Sequence, residues 1–546
     1  MDTAFGCITR HSIHGKFSLP LAPRAPPVLD KTIPVHETSK SRFPDAAVSR
    51  WILLAAVLWC IVWFVHAWHY WEDDAYIHLE FARNVAAGHG YSFNGMLVNG
   101  DTAPLWVLLL VAAHALIPNW LVAGKVLTAL GAIFALGGAY YLSKHLVKGL
   151  DGAKTFAAWM VLLLVVNPFF CYWSFSGMET LTALGLAFWG TLIAVKERPT
   201  WGSFYLGCFV TGIAPVLRPE MMAFSGLAGL LLLQQWFGFP GRASSIKKFP
   251  GLLLGLILFA LPVALWSVYA FHAFGHVIPN TNAAKRAAPN ESVITHILEV
   301  YGLGFPVVLA EVAGLAVLAL LKPALLRKEK NPLRLLPVAS WIFVIWSAVA
   351  AAFYVIDHTY VQTRYVFVMA PGLVLAVLAF NYRRLPRWVY RVSLVGALLA
   401  AVTVSSVTAW LLIRNKVIRD RQMQDMAKYV RNQVPPGAPV AIYAIGELAF
   451  DSQHPIIDVG GITRPGVTQY LFQNQSLVVQ WAKQQGAKYY VAAKQPEPGA
   501  VPVFSIKAPI LGWSLDKHYY SRSGPLHLWK LPVSGTQPVS AVATGK

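Results

Sequence analysis

The chain has 546 residues, of which 56% are apolar and only 13% charged, where a soluble domain carries about 25%. So apolar a chain needs lipid as the solvent for much of its surface, which excludes an ordinary soluble protein. The formal net charge of +20 then reads as basic loops along one side of a bilayer, and no nucleic-acid partner is expected, because no basic helix or zinc-ligand spacing accompanies it.

Residues 1–50 are polar, basic and rich in Pro, and predict a disordered cytoplasmic tail. No apolar run precedes Trp51, so the first span is expected to be an uncleaved anchor. Runs near 51–70, 120–142, 156–174, 179–196, 201–217, 221–239, 250–271, 301–321, 335–356, 365–381 and 392–413 each approach the roughly 20 residues needed to cross the hydrocarbon core. They predict about eleven transmembrane helices over 51–413. The run 104–117 is short and ends at Pro118-Asn119, and is read as interfacial or re-entrant.

With the tail inside, the inner connections carry Lys144, Lys148 and Lys154, then Lys196 and Arg198, then Arg242, Lys247 and Lys248. Two further basic groups follow, at 322–334 and 383–391, as the bias of positive charge to the inside demands. A span at 104–117 would reverse this pattern. The outer side receives 71–119, several short turns, 272–300, 357–364 and everything after 413. The stretch 414–546 mixes β-like runs (440–443, 456–459, 489–492) with helix-like ones (420–433, 475–486), and predicts a small extracytoplasmic α/β domain. Cys7, Cys60, Cys171 and Cys208 have no metal-ligand spacing and predict no disulfide framework.

Residues that can carry chemistry gather on the predicted outer side. Glu72, Asp73 and Asp74 are three adjacent carboxylates at a membrane boundary, where like charges in a poor dielectric are costly. They read either as a general base with a neighbour that orients it or holds a cation, or as a solvated acidic helix start. Glu179, in the turn 174–180, is either a helix-start residue or a site acid. Arg218 invites an anion at the outer edge, or pairs locally with Glu220. Asn280, Thr281 and Asn282 offer hydrogen bonds suited to sugars, and Lys285 and Arg286 offer charge suited to phosphate. His358 and Arg364 lie in a compact polar segment, the first a candidate ligand or proton shuttle, the second another anion partner.

The order of these motifs resembles polyprenyl-phosphate-dependent glycosyltransferases of the GT-C fold. It runs Asp73-Asp74-Ala75-Tyr76-Ile77, Gly88-His89-Gly90, Thr102-Ala103-Pro104-Leu105-Trp106, Ser176-Gly177-Met178-Glu179-Thr180, Arg218-Pro219-Glu220, Pro279 to Lys285 and Arg364-Tyr365. With Gly446 to Phe450 and Ile457 to Thr463, it is most similar to the branch that holds the mycobacterial terminal arabinofuranosyltransferases. The resemblance implies an all-α, polytopic, GT-C-like bundle in a bacterial cytoplasmic membrane, its N-terminus inside and its C-terminal domain outside.

It implies a sugar donor, such as a pentofuranose like arabinose, on a polyprenyl phosphate, and an extracytoplasmic acceptor that is a glycan, lipid or protein. Asp73 would be the catalytic base, Asp74 its orienting partner or the ligand of a divalent metal ion. Arg218, Lys285, Arg286 and Arg364 would bind the donor phosphate. Glu179, Glu220, Asn280, Thr281, Asn282 and His358 would contact substrate. Ala103 departs from the Asn of that branch's pattern, which bears on sugar or acceptor identity. A transporter or flippase, or a lipid-linked glycan polymerase or ligase, are the competing readings. The first would place ionisable groups at mid-span, where the sequence offers little beyond Lys125 and Glu311.

Overall fold

The computed structural model describes residues 45–238, 245–287, 293–305, 337–384, 387–471, 474–507 and 525–532. The apolar runs become helices because, in lipid, only a helix satisfies its own backbone groups. Five helical stretches are long and apolar enough to cross a membrane: Asp45–His66, Trp120–Leu146, Phe249–Phe274, Val338–Ile356 and Thr363–Arg383. The pair Ala153–Val165 and Pro168–Ser174, bent by 70°, counts as a sixth if it is one span. The break is built by Asn167, whose side chain accepts from the amides of Phe169 and Phe170 while Pro168 opens the second helix.

Thr180–Ala194, Trp201–Leu217 and Met221–Gly238 are shorter apolar helices in the predicted places. Pro104–Leu116 is a 13-residue helix, as the interrupted run at 104–117 suggests. Helix Trp120–Leu146 packs closely on Thr180–Ala194 because Gly131 and Gly138 leave room only for Thr182 and Phe188. The run 301–321, with Glu311, falls largely outside the described residues, as does the tail before Asp45. The first helix starts at Asp45 rather than at Trp51; Asp45 accepts from the Thr155 amide and hydroxyl.

Helix Arg387–Gln433 continues without a break through residue 413, so the last membrane-facing run and the predicted 420–433 helix are one rod. Beyond it lies a five-stranded sheet in the order β4-β3-β5-β7-β6, after a two-stranded hairpin, β1 (Ser92–Phe93) and β2 (Met96–Leu97), in the first loop. β3 (Val440–Ile442) runs parallel to β4 (Ile456–Asp458) and β5 (Tyr489–Ala492), aligning Val440 with Ile456 and Tyr489. β7 (Leu526–Lys530) is antiparallel to β5 and to β6 (Val501–Ile506). The last two strands lacked a clear alternating pattern in the sequence; β6 is largely exposed at the sheet edge.

Candidate active site

Helix Asp73–Ala86 begins seven residues after the first helix ends, and its start is pinned from below. The Glu72 amide donates to Ser176 O at 3.0 Å, and the Trp71 amide to Asp420 Oδ2 at 2.9 Å. Gly177 sits at φ +86°, and any Cβ there would strike Trp71 and Ala75. Only glycine lets the 176–179 turn lie against the helix start. Lys125, within a span, reaches the carbonyls of Ala67, Tyr70 and Phe175 and rests 4.5 Å from the Trp71 ring. It therefore serves the membrane boundary beside the site, and its charge is not at mid-span.

Each of the three adjacent carboxylates faces a different partner. Glu72 pairs with Lys416 at 2.9 Å and accepts from the hydroxyls of Tyr70 and Tyr172. Asp74 pairs with Arg364. Asp73 is held by backbone amides: Gly446 N donates to Oδ2 at 3.2 Å and Glu447 N to Oδ1 at 3.0 Å. Burial pushes the Asp73 carboxyl up to about 6, against the Glu447 amide and the Arg419 charge. Asp74 is equally deep, although its side chain keeps 33% exposure to the cavity. There burial raises and Arg364 lowers, and the net is a carboxyl held below its ordinary range.

These side chains line one cavity, together with His78, Asp101, Glu179, Arg218, Thr281, Lys285, Arg364, Lys416 and Arg419. Its walls come from helix Asp73–Ala86, the Gly100–Thr102 loop, the 178–179 turn, helix Asn280–Ala287, the 360–365 segment and the long helix Arg387–Gln433. The sheet domain supplies Tyr443, Ala444, Gly460 and Ile462. The 280s helix is stitched to the first loop by Thr281 Oγ1 donating to Gly100 O at 2.8 Å and Asn280 N to Asn99 O at 2.8 Å. Lys285 lies 4.7 Å from the Tyr365 ring centre, and among the described residues no carboxylate stands within ion-pair distance of it. Arg218 lies 5.1 Å from the same ring.

Of the residues singled out from sequence, Asp73, Asp74, Glu179, Arg218, Thr281, Lys285 and Arg364 thus converge on the cavity. Glu72 joins them, whereas Arg286, Glu220, Asn280, Asn282 and His358 lie outside the lining. Arg286, expected on the phosphate, is 54% exposed and paired with Asp357, because successive residues of a helix face different ways. Glu220 lies behind Arg218, at 3.1 Å, as the local pair considered from sequence. Asn280 enters through its backbone, and neither its side chain nor that of Asn282 lines the cavity. His358 stands at φ +52° in the turn beyond Asp357 and is not in the lining.

His78, Asp101, Lys416, Arg419 and Tyr443 line the cavity without having been singled out. His78 could have been found, since it sits one helical turn after Asp74 on the same face. As for a metal, Asp74 is turned to Arg364, and among the described residues no three His, Cys, Asp or Glu side chains converge to hold an ion. The Arg364 guanidinium stands in the place beside Asp74 that a cation would take.

The fold is that of a multi-pass membrane protein and is similar to that of ArnT. ArnT from Cupriavidus metallidurans superposes in its apo state with a TM-score of 0.54 at 16% identity, covering 88% of this chain and 98% of ArnT. Its structure bound to undecaprenyl phosphate gives 0.53, covering 90% and 100%. Sequence relationship points more narrowly. A terminal beta-(1->2)-arabinofuranosyltransferase of Mycobacterium tuberculosis is 27% identical over 311 residues, 52% of this chain and 47% of the relative. The Corynebacterium glutamicum protein of the same name is 28% identical over 246 residues, 40% and 33%. The chain thus matches less than half the length of these curated relatives. Residues 413–531 match a family described as a domain of unknown function, DUF8728.

Proposed function

We propose that this protein is an integral-membrane glycosyltransferase that moves a sugar, such as arabinofuranose, from a polyprenyl phosphate to an extracytoplasmic acceptor. The observation that carries the reading is the cavity itself, where an amide-held Asp73 shares one space with Arg364, Lys285 and Arg218. The names of the sequence relatives and the undecaprenyl phosphate bound by the ArnT structure support the same chemistry.

In this reading the acceptor hydroxyl, far too weak an acid to ionise at neutral pH, gives its proton to Asp73 as attack begins. The acceptor oxygen bonds to the anomeric carbon as the bond from that carbon to the phosphate oxygen breaks. The electron pair leaves with the polyprenyl phosphate, whose charge Lys285, Arg218 and Arg364 neutralise. Asp74, fixed by Arg364, stays ionised and stabilises the positive charge gathering on the sugar. Thr281 contacts the sugar or acceptor, while Glu179, turned to Arg218 and His78, shapes the charge of the site. One displacement inverts the anomeric centre.

The cavity faces the outer side, with about eleven spans, the N-terminus inside and the sheet domain outside, as the basic inner loops require. The test is purified full-length protein incubated with a panel of synthetic polyprenyl-phosphate sugars and glycan acceptors, read by mass spectrometry. Sugar transfer that leaves free polyprenyl phosphate is expected. Movement of lipid across vesicles without transfer would establish the transporter reading instead.

A further inference from the structure

Four charged side chains of the cavity wall form a continuous chain, of which only Arg218 acts directly in the proposed reaction. Asp101 Oδ2 lies 2.8 Å from His78 Nδ1, and its Oδ1 accepts from the Ala103 amide at 2.7 Å. His78 Nε2 lies 3.3 Å from Glu179 Oε2, near enough for an ion pair though not aligned as a hydrogen bond. Glu179 Oε1 in turn accepts from Arg218 at 2.7 Å, and Arg218 holds Glu220 on its far side at 3.1 Å. All four residues of the chain proper are nearly sealed from water, none more than 5% exposed.

An ionised carboxylate only accepts hydrogen bonds, so an imidazole lying between two of them is suited by a proton on each nitrogen. Burial disfavours that cation, but Asp101 and Glu179 outweigh it and push His78 up to about 10. Glu179 is therefore shared between two cations. Without the His78 charge, Glu179 and Glu220 would together place two negative charges on the one guanidinium of Arg218.

We propose that His78 is a positioning residue that sets the charge presented by Arg218 to an anionic phosphate. It draws Glu179 away from full neutralisation of the guanidinium, and it ties the catalytic helix to the Asp101 loop and the Glu179 turn. The inference rests on the donor-phosphate reading above.

Its test is the affinity of the purified full-length protein for undecaprenyl phosphate in detergent micelles, with kcat and KM for the donor beside it. His78→Asn keeps a donor toward Asp101 but removes the charge. It is expected to weaken lipid binding and raise the donor KM about tenfold, with kcat changed much less. His78→Gln, with its amide nearer the Nε2 position, is expected to do the same, because the charge and not the shape is lost. Adding Glu179→Gln to His78→Asn removes the surplus negative charge. That double variant is expected to bind within about threefold of the wild type, whereas a merely structural contact, once broken, would leave the double variant binding no better than His78→Asn.

Wild-type binding by His78→Asn, or tenfold weaker binding by the double variant, would overturn the proposal. Should His78→Asn fail to fold, the double variant measured against the wild type still decides. Wild-type protein that does not bind the lipid at all overturns the donor reading, and this inference with it.

Discussion

Glu72, Asp73 and Asp74 are neighbours in sequence and strangers in environment. A cation sits on Glu72 and another on Asp74, while Asp73 meets two neutral amides. Only Asp73 therefore keeps a raised affinity for a proton together with access to the cavity, which is what a general base needs. Asp73→Asn is expected to lower kcat by about 10²–10⁴-fold. Asp74→Asn, which also leaves Arg364 buried without its carboxylate, is expected to harm both kcat and donor KM. In wild type, kcat/KM should rise with pH along a limb centred at about 6, because the base must be deprotonated. Unfolding does not mimic that limb. The folded chain holds the Asp73 proton to higher pH than the unfolded chain, so this group lowers stability as pH rises from about 4 to about 6. Chelation with EDTA is expected to leave the rate within about twofold, since Arg364 already fills the place beside Asp74 that a cation would take; loss restored by added Mg²⁺ or Mn²⁺ would show that the pair opens. The acidic pair was legible in sequence because charge at a membrane edge is costly and therefore conspicuous. Which carboxylate did what was not, since Gly446 lies 373 residues from Asp73 and no local pattern joins them.

At the scale of elements, precision at Asp73 is delivered by the short helix Gly446–Ser452 of the sheet domain. A Cβ on Gly446 would lie 2.0 Å from the Asp73 carbonyl oxygen, so the amides reach the carboxylate only because that position is glycine. Gly446→Ala is expected to cut kcat about tenfold or more while the protein still folds, as judged by size-exclusion profile and melting curve; unchanged turnover would show that the amides do not position the base. Lys125 does comparable work from the other side, holding three carbonyls at the junction of the first helix, the Glu72 segment and the 175 turn. Lys125→Met strips the lysine's donor from the buried Tyr70 and Phe175 carbonyls, while Ala67 O keeps the Tyr70 amide, and is expected to cost about 2–4 kcal/mol, read as a lowered apparent melting temperature. Sequence periodicity located most of these helices, because a span announces itself by length and apolarity. It missed that Arg387–Gln433 is one helix, since the composition changes along it from apolar to charged where it leaves the membrane-like environment. That change of surroundings is also why Lys416, Arg419 and Asp420, spaced three and four residues apart on one face, drew no notice.

For the whole molecule, the cavity joins parts that the sequence keeps far apart: the first loop, four connections between later helices, the long helix and the sheet domain. The order of short motifs made the fold legible, and it marked a small α/β domain after residue 413 without assigning it a part in the site. That domain is a wall of the cavity, through Tyr443, Gly460 and Ile462, and this gives the region matching the domain of unknown function a place in the site. The wall holds because Asp458, fully buried, accepts from the amides of Gly460, Gly461 and Thr463 and so fixes the loop that meets Gly100. Since one cavity cannot open to both faces of a bilayer, everything that lines it must share a side. In the proposed topology the basic connections, Lys148 among them, lie on the other. In a Cys7→Ser background, a membrane-impermeant maleimide applied to intact cells is expected to label Gln453→Cys, at an exposed position of the sheet domain, and to spare Lys148→Cys until the membrane is opened. The reverse pattern would put the site in the cytosol, where an outer-leaflet sugar carrier and its acceptor glycan could not reach it.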